Sequence, residues 1–165
     1  MTELAPKTIA ESAVILSEII LPAHTNAVGN AHGGELLKIM DSAAGACAVK
    51  HSRSIVVTAG VDNVTFHAPV FLGNLAICHA HLTFVSNRSM EIAVNIDAED
   101  MLQGTRKCCL TAYFILVALD EKTMSPKPIA QLDLQNDAER REFAAGQLRM
   151  EERKKIPRVC WLPLY

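Results

Sequence analysis

The residues best suited to chemistry in this sequence are an aspartate, Asp41, and the glycine pair ahead of it, Gly33 and Gly34. The pair falls where a loop gives way to a helical pattern. There the first backbone N–H groups lack intrahelical partners, and the macrodipole adds partial positive charge. Such a site can hold a developing oxyanion, and glycine lets a carbonyl approach the backbone closely. The same two glycines also make an ordinary turn and helix start. Asp41 lies two turns further on, ahead of a run of small residues. It can deprotonate water or attack a carbonyl directly, or it can simply pair with Lys38 at i, i+3 on a solvent face. Asn26 and Asn30 precede the glycines. Their amides can orient water or polarise a carbonyl, and asparagine equally serves as a turn residue. His32 is either a proton relay or a hydrogen-bonding loop residue.

Other chemistries find little support. His79 and His81 share one face of a strand, but no third ligand is apparent beside them, so they read as an ordinary pair and not a metal site. The five cysteines (Cys47, Cys78, Cys108, Cys109 and Cys160) form no Cys-x-x-Cys pair and read as reduced thiols. There is no Gly-x-Ser-x-Gly elbow, Walker loop or dinucleotide fingerprint. A formal net charge of -2 points to neither nucleic acid nor anionic membrane. No apolar stretch approaches the ~20 residues of a spanning helix, and the N-terminal residues lack the pattern of a targeting signal. The expectation is therefore a soluble, cytoplasmic protein without membrane or nucleic-acid partners. Half of its 165 residues are apolar, which suits one domain that also buries surface between subunits.

The elements that must position these residues follow from pattern. Residues 12–21 are β-branched and predict a strand ending at Pro22. Residues 22–34 are loop-like, and 34–51 turn helical, with Leu36, Met40, Ala43 and Cys47 on one stripe. The small residues along this helix predict that another surface encloses it. Strand patterns follow at 54–66, 74–85, 89–97 and 107–119, the last almost continuously apolar, as for a strand buried on both sides. Residues 133–155 predict a charged surface helix. One long helix against an antiparallel sheet gives an α+β class.

The run Asn26-Ala27-Val28-Gly29-Asn30-Ala31-His32-Gly33-Gly34, followed by Leu37 to Asp41 and the Ala/Gly stretch, resembles the acyl-CoA thioesterase family of hotdog-fold proteins. That group includes brain acyl-CoA hydrolase, cytosolic acetyl-CoA hydrolase and small bacterial acyl-CoA thioesterases. Val57 to Asp62, Ser89 to Ile92 and Asp100 to Gly104 agree with later family segments. The resemblance implies a hotdog fold, a sheet wrapped around a central helix. It divides the chain into an N-terminal extension (1–12), a hotdog domain (13–120) and a linker, charged helix and tail (121–165). It implies hydrolysis of acyl-CoA to fatty acid and CoA, with Asp41 as general base or nucleophile and Asn30 as the catalytic asparagine that positions water or the carbonyl. The amides near Gly33 and Gly34 would form the oxyanion hole. CoA contacts are implied at Ala59, Gly60 and Val61 and at Arg88, Ser89 and Met90, with Arg140 or Arg141 assisting. No metal or cofactor is implied, since CoA enters as part of the substrate. A homodimer would build two sites, each joining Asn30 of one subunit to Asp41 of the other, and a trimer of dimers is common in the small relatives. The rival readings on this fold are a non-catalytic acyl-CoA sensor and a hydratase using His32.

Overall fold

The computed structural model describes residues 4–156. The expected tail, with Cys160 and Trp161, lies outside them. A short helix, α1 (Ile9–Ser12), opens the chain, and strand β1 (Val14–Ile19) follows. The sequence pattern missed α1. Its signal is Thr8 as N-cap with Glu11 three residues on, a reciprocal capping box that the structure forms. A 3₁₀ turn at Pro22–His24 leads through the loop to the long helix α2 (Gly33–Ser52). Strands β2 (Ile55–Phe66), β3 (Leu75–Val85), β4 (Ser89–Asp100) and β5 (Thr105–Leu119) follow, then helix α3 (Asp137–Lys155).

The five strands make one antiparallel sheet in the order β1-β3-β4-β5-β2. Strands β1 and β2, which flank α2 in sequence, therefore become the two edges of the sheet. The inner face closes on α2. Met40, Ala43, Ala44, Cys47 and Ala48 are fully buried there, against Met90, Ile92, Ile96, Leu110 and Phe114. Small side chains let the backbone of α2 approach the curved sheet closely, as the Ala-rich pattern requires. The alternation read in β4 sends Met90, Ile92, Val94 and Ile96 to the core as expected. Strand β5 departs from its expectation. Residues 105–108 are exposed, and only the part from Cys109 onward is enclosed.

Helix α3 lies on the outer face of the sheet, chiefly over β3. Phe143 stacks on Phe84 with ring centroids 4.8 Å apart. Arg149 donates to Glu91 Oε1 at 2.7 and 3.1 Å, and Arg153 donates to Glu91 Oε2 at 2.6 Å. Thr83 Oγ1 adds a bond to Glu91 Oε1 at 2.8 Å. Glu91 is only 2% exposed, so these donors replace the water that a carboxylate otherwise demands. Arg149 also lies 4.0 Å over the Tyr113 ring, and Arg153 is ion-paired with Asp62 of β2.

Candidate functional site

Residues 25–31 form a small looped-back segment, closed by a bridge between Thr25 and Ala31. Asn26 organises it. Its Oδ1 accepts the N–H of Val28 at 3.0 Å and of Asn30 at 3.2 Å. The Asn26 N–H donates to Asn30 O at 2.8 Å. This is the Asx geometry that a short polar side chain supports. It leaves the Asn26 Nδ2 donors free of protein partners among the described residues. The Asn30 side chain also makes no hydrogen bond among them, while its backbone bridges to Phe71.

His32 is the N-cap of α2. Its Nδ1 accepts the Gly34 N–H at 3.0 Å, and its carbonyl accepts from Glu35 N at 2.9 Å and Leu36 N at 3.2 Å. Three of the first four helix donors are thereby satisfied. The Gly33 N–H is the one left without a partner among the described residues. Sequence reasoning treated the two glycines as equivalent. The structure separates them, through an imidazole that the sequence offered only as a relay or a turn residue. The Nδ1 lone pair is thus taken up by the helix start, and no carboxylate pairs with the ring among the described residues.

The space beside both glycines is taken. A Cβ on Gly33 would stand 3.0 Å from Phe66 Cζ, and one on Gly34 would stand 3.1 Å from His32 Nδ1. Phe66, the last residue of β2, therefore lies against the helix start.

Asp41, further along α2, is exposed. It does not pair with Lys38, which instead meets Glu35 at 3.7 Å. Thr58 Oγ1 donates to Asp41 Oδ1 at 2.7 Å. Thr58 precedes the point where β2 shifts register against β5, before Gly60. Sequence reasoning did not single out Thr58, since one threonine in a β-branched strand carries no signal of its own.

The other expected positions lie on β2, at the start of β4 and on α3. Gly60 and Val61 pair with Ile115 and Phe114 of β5, whose far side pairs with β4 from Ser89 on. Ala59 sits at the register shift. Arg88 is exposed in the β3–β4 turn, where Ser86 Oγ accepts the N–H of Arg88 at 3.3 Å and of Ser89 at 3.0 Å. The Met90 side chain is fully buried in the core, so only its backbone is at hand for a ligand. Arg140 of α3 bonds Asp137 and, ahead of the helix, Leu134 O, and Arg141 is exposed on α3.

His79 and His81 are not brought together on a metal. Arg106 meets His79 Nε2 at 2.6 Å, and Glu142 meets His81 Nε2 at 3.0 Å. No group of three or more metal-ligating side chains occurs among the described residues. Burial pushes the Cys47 and Cys78 thiols up to about 12, which leaves them protonated and without nucleophilic character at neutral pH. A cleft of about 330 Å³ between β1 and the outer side of α2 is lined by Leu16, Ile20, His24, Glu35, Lys38 and Ile39 among others, and does not reach Asp41.

Gly33 and Asp41 are eight residues apart on one helix, which is about 12 Å along its axis. A donor and an acid serving one carbonyl must both lie within hydrogen-bonding reach of it. These two cannot do so within one chain. Strand β2 is a free edge beside them, and its Ile55, Val57, Val61, Val64 and Phe66 are 38 to 54% exposed.

Comparison with known proteins bears on this arrangement. The Thioesterase superfamily model matches residues 28–105. The cytosolic acyl coenzyme A thioester hydrolase of Mus musculus is 32% identical over 90% of this chain, and the chain spans only 39% of that protein's length. A hexameric acyl-CoA thioesterase superposes with a TM-score of 0.87 at 32% identity, covering 92% of this chain and 97% of the other. An acyl-CoA hydrolase from Staphylococcus aureus, solved with butyryl-CoA and CoA, gives a TM-score of 0.82 at 29% identity over 90% of each chain. That enzyme has also been solved with single alanine replacements at an asparagine, at an aspartate fifteen residues later, and at a threonine seventeen residues beyond that.

Proposed function

Because this chain belongs to the thioesterase superfamily of hotdog-fold proteins, we propose that it hydrolyses acyl-CoA to a carboxylic acid and CoA, at sites shared between two copies of the chain. The observation that carries the reading is the Asp41–Thr58 contact, set about 12 Å along the same helix from the unpartnered Gly33 N–H. A two-fold arrangement with antiparallel α2 helices brings Asp41 of one copy to Gly33 of the other.

In this reading the thioester carbonyl accepts the Gly33 N–H, where the helix dipole favours developing negative charge. Gly34 gives its N–H to His32 and holds the loop, so the oxyanion donor is Gly33. Asp41 of the second copy takes a proton from water as hydroxide adds to the carbonyl carbon, or adds to that carbon itself to form an acyl-aspartyl anhydride that water opens after CoA has left. The C–S bond then breaks, and CoA leaves as a thiolate. A thiol pKa near 8.5 makes that departure easy without an acid. Thr58 holds one oxygen of Asp41 and so aims the other.

The asparagine role falls to Asn26 more naturally than to Asn30. Asn26, Asp41 and Thr58 are spaced by fifteen and seventeen residues, the intervals of the three replaced positions in the Staphylococcus aureus enzyme. Asn26 is anchored through its own Oδ1, which leaves Nδ2 as a donor toward a carbonyl or water. CoA contacts are proposed along Ala59, Gly60 and Val61 and at Arg88, Ser89 and the Met90 backbone, where the Arg88 guanidinium suits a phosphate.

The test is release of CoA thiol from a panel of saturated acyl-CoA esters by the unsubstituted chain and Asp41→Asn, with CoA binding measured for both. Loss of turnover by about a hundredfold with CoA binding kept supports Asp41 as acid/base or nucleophile. Binding of acyl-CoA by the unsubstituted chain without thiol release replaces hydrolysis with acyl-CoA sensing.

A further inference from the structure

Two contacts on the inner side of the sheet fix how a second copy must sit. Asp41 is held by Thr58, and Gly33 packs against Phe66. If Asp41 of one copy serves Gly33 of the other, the residues attached to them face each other as well. Thr58 of one copy then stands opposite Phe66 of the other along paired β2 edges. The midpoint of Thr58 and Phe66 in β2 is Asp62, and the midpoint of Gly33 and Asp41 in α2 is Leu37. A two-fold axis through the sheet therefore crosses β2 at Asp62 and α2 at Leu37.

This register sets a physical problem. A residue on the axis of an antiparallel pair meets its own copy, with Cβ atoms about 5 Å apart. Two aspartates so placed repel one another. The outer face of the sheet carries the answer. Arg153 of α3 is ion-paired with Asp62, and its other arm reaches the buried Glu91, which Arg149 also holds. Two guanidinium groups thus meet two carboxylates, and the cluster is neutral. Asp62 itself, on this edge strand, keeps 37% of its side chain exposed.

We propose that α3 is the charge-compensating element of self-association: Arg153 neutralises Asp62 so that the β2 edges of two copies of this chain can pair in a register centred on Asp62. The occupant of the exposed β2 edge is a second copy of this chain. The inference rests on the shared-site reading above for its register. It goes beyond that reading in assigning Asp62, Arg153 and α3 to the interface.

Dissociation of the full chain on dilution, followed by analytical ultracentrifugation, tests this. Arg153→Ala should weaken the two-copy contact by roughly fivefold, the scale of a like-charge cross-strand pair. Adding Asp62→Asn should restore it, because the repulsion is then gone. Raising the salt concentration should narrow the gap between Arg153→Ala and the unsubstituted chain. If Arg153→Ala associates normally, or if its weakening persists when Asp62→Asn is added, the role of Arg153 lies with Glu91 alone and the proposal fails. Thiol release by the unsubstituted chain is read in parallel. No release with the association pattern intact removes the hydrolase reading and leaves the Asp62 assignment standing.

Discussion

Thr58, on an edge strand of the sheet, donates its hydroxyl to Asp41, in the middle of the central helix, at 2.7 Å. The helix alone would leave Asp41 as one more solvent-facing carboxylate among Glu35, Lys38 and Ser42. The strand makes it a side chain of fixed orientation at the free edge of the sheet. One carboxylate oxygen is committed to the hydroxyl, and the other has no hydrogen-bond partner among the described residues.

Removing the hydroxyl should loosen that orientation without touching the charge. A hydrogen bond to a charged group contributes about 1.5 to 3 kcal/mol. Thr58→Ala is therefore expected to lower kcat/KM for acyl-CoA by roughly ten- to a hundredfold, mostly in kcat, while CoA binding stays near that of the unsubstituted chain. Thr58→Ser, which keeps the hydroxyl, should recover most of the rate. Equal losses in the two variants would show that Thr58 acts through β2 packing instead.

A site divided between copies can be tested by mixing. Asp41→Asn and Asn26→Ala are each expected to be nearly inactive alone. When they are unfolded together and refolded at equal amounts, half of the dimers contain one of each, and each such dimer has one intact site of two. Recovered turnover of about a quarter of the unsubstituted level is expected. A mixture no more active than its components would place Asn26 and Asp41 in the same half-site. The same mixing with Asn30→Ala in place of Asn26→Ala decides which asparagine carries the role.

The sheet and α2 were legible in the sequence because their periods are strong, and α3 because its charge-rich composition marks a surface helix, though it begins at Asp137 and not at residue 133. Met40, Ala43 and Cys47 line one helical stripe, and Met90 to Ile96 alternate without a break. The short helix α1 was not legible, since four residues carry no period and only the Thr8–Glu11 capping box betrays it. Asp41 and the two glycines could be picked out by type and place. Their partners could not. Thr58 and Phe66 are 17 and 33 residues away from Asp41 and Gly33, and only the topology that puts β2 beside α2 brings them close. The capping role of His32 was hidden for a different reason. An imidazole accepts or donates according to its tautomer, and the sequence does not choose between them.

The outer-face cluster should matter for stability. Glu91 is almost fully buried and has Arg149 and Arg153 as its ion-pair partners. Leaving a buried carboxylate short of a partner costs about 3 to 5 kcal/mol, less to the extent that Arg153 remains. Arg149→Met is expected to destabilise the chain toward the lower end of that range, read as a drop in the urea midpoint. Adding Glu91→Gln should recover part of the loss, because the uncompensated charge is then gone. No shift in Arg149→Met would mean that water reaches Glu91 when the guanidinium is removed.

A final expectation concerns acid. His51 is 1% exposed at the end of α2, with Nε2 donating to Ala130 O at 2.8 Å and Nδ1 facing Ser12 Oγ at 3.2 Å. Burial holds its pKa below the usual histidine value, opposed in part by the Ala130 carbonyl. The folded chain therefore keeps His51 neutral where the unfolded chain has begun to take up a proton. Stability from this group is fully present above pH ~6.5, the unfolded value, and falls as pH drops from there through the lowered folded value. Melting temperature should decline across that window in the unsubstituted chain. His51→Gln, which does not titrate, should start from a lower melting temperature at neutral pH and lose less of it between pH 7 and pH 5. Parallel declines in the two proteins would assign the acid sensitivity to carboxylates such as Glu142, whose pKa is lowered by its bond with His81.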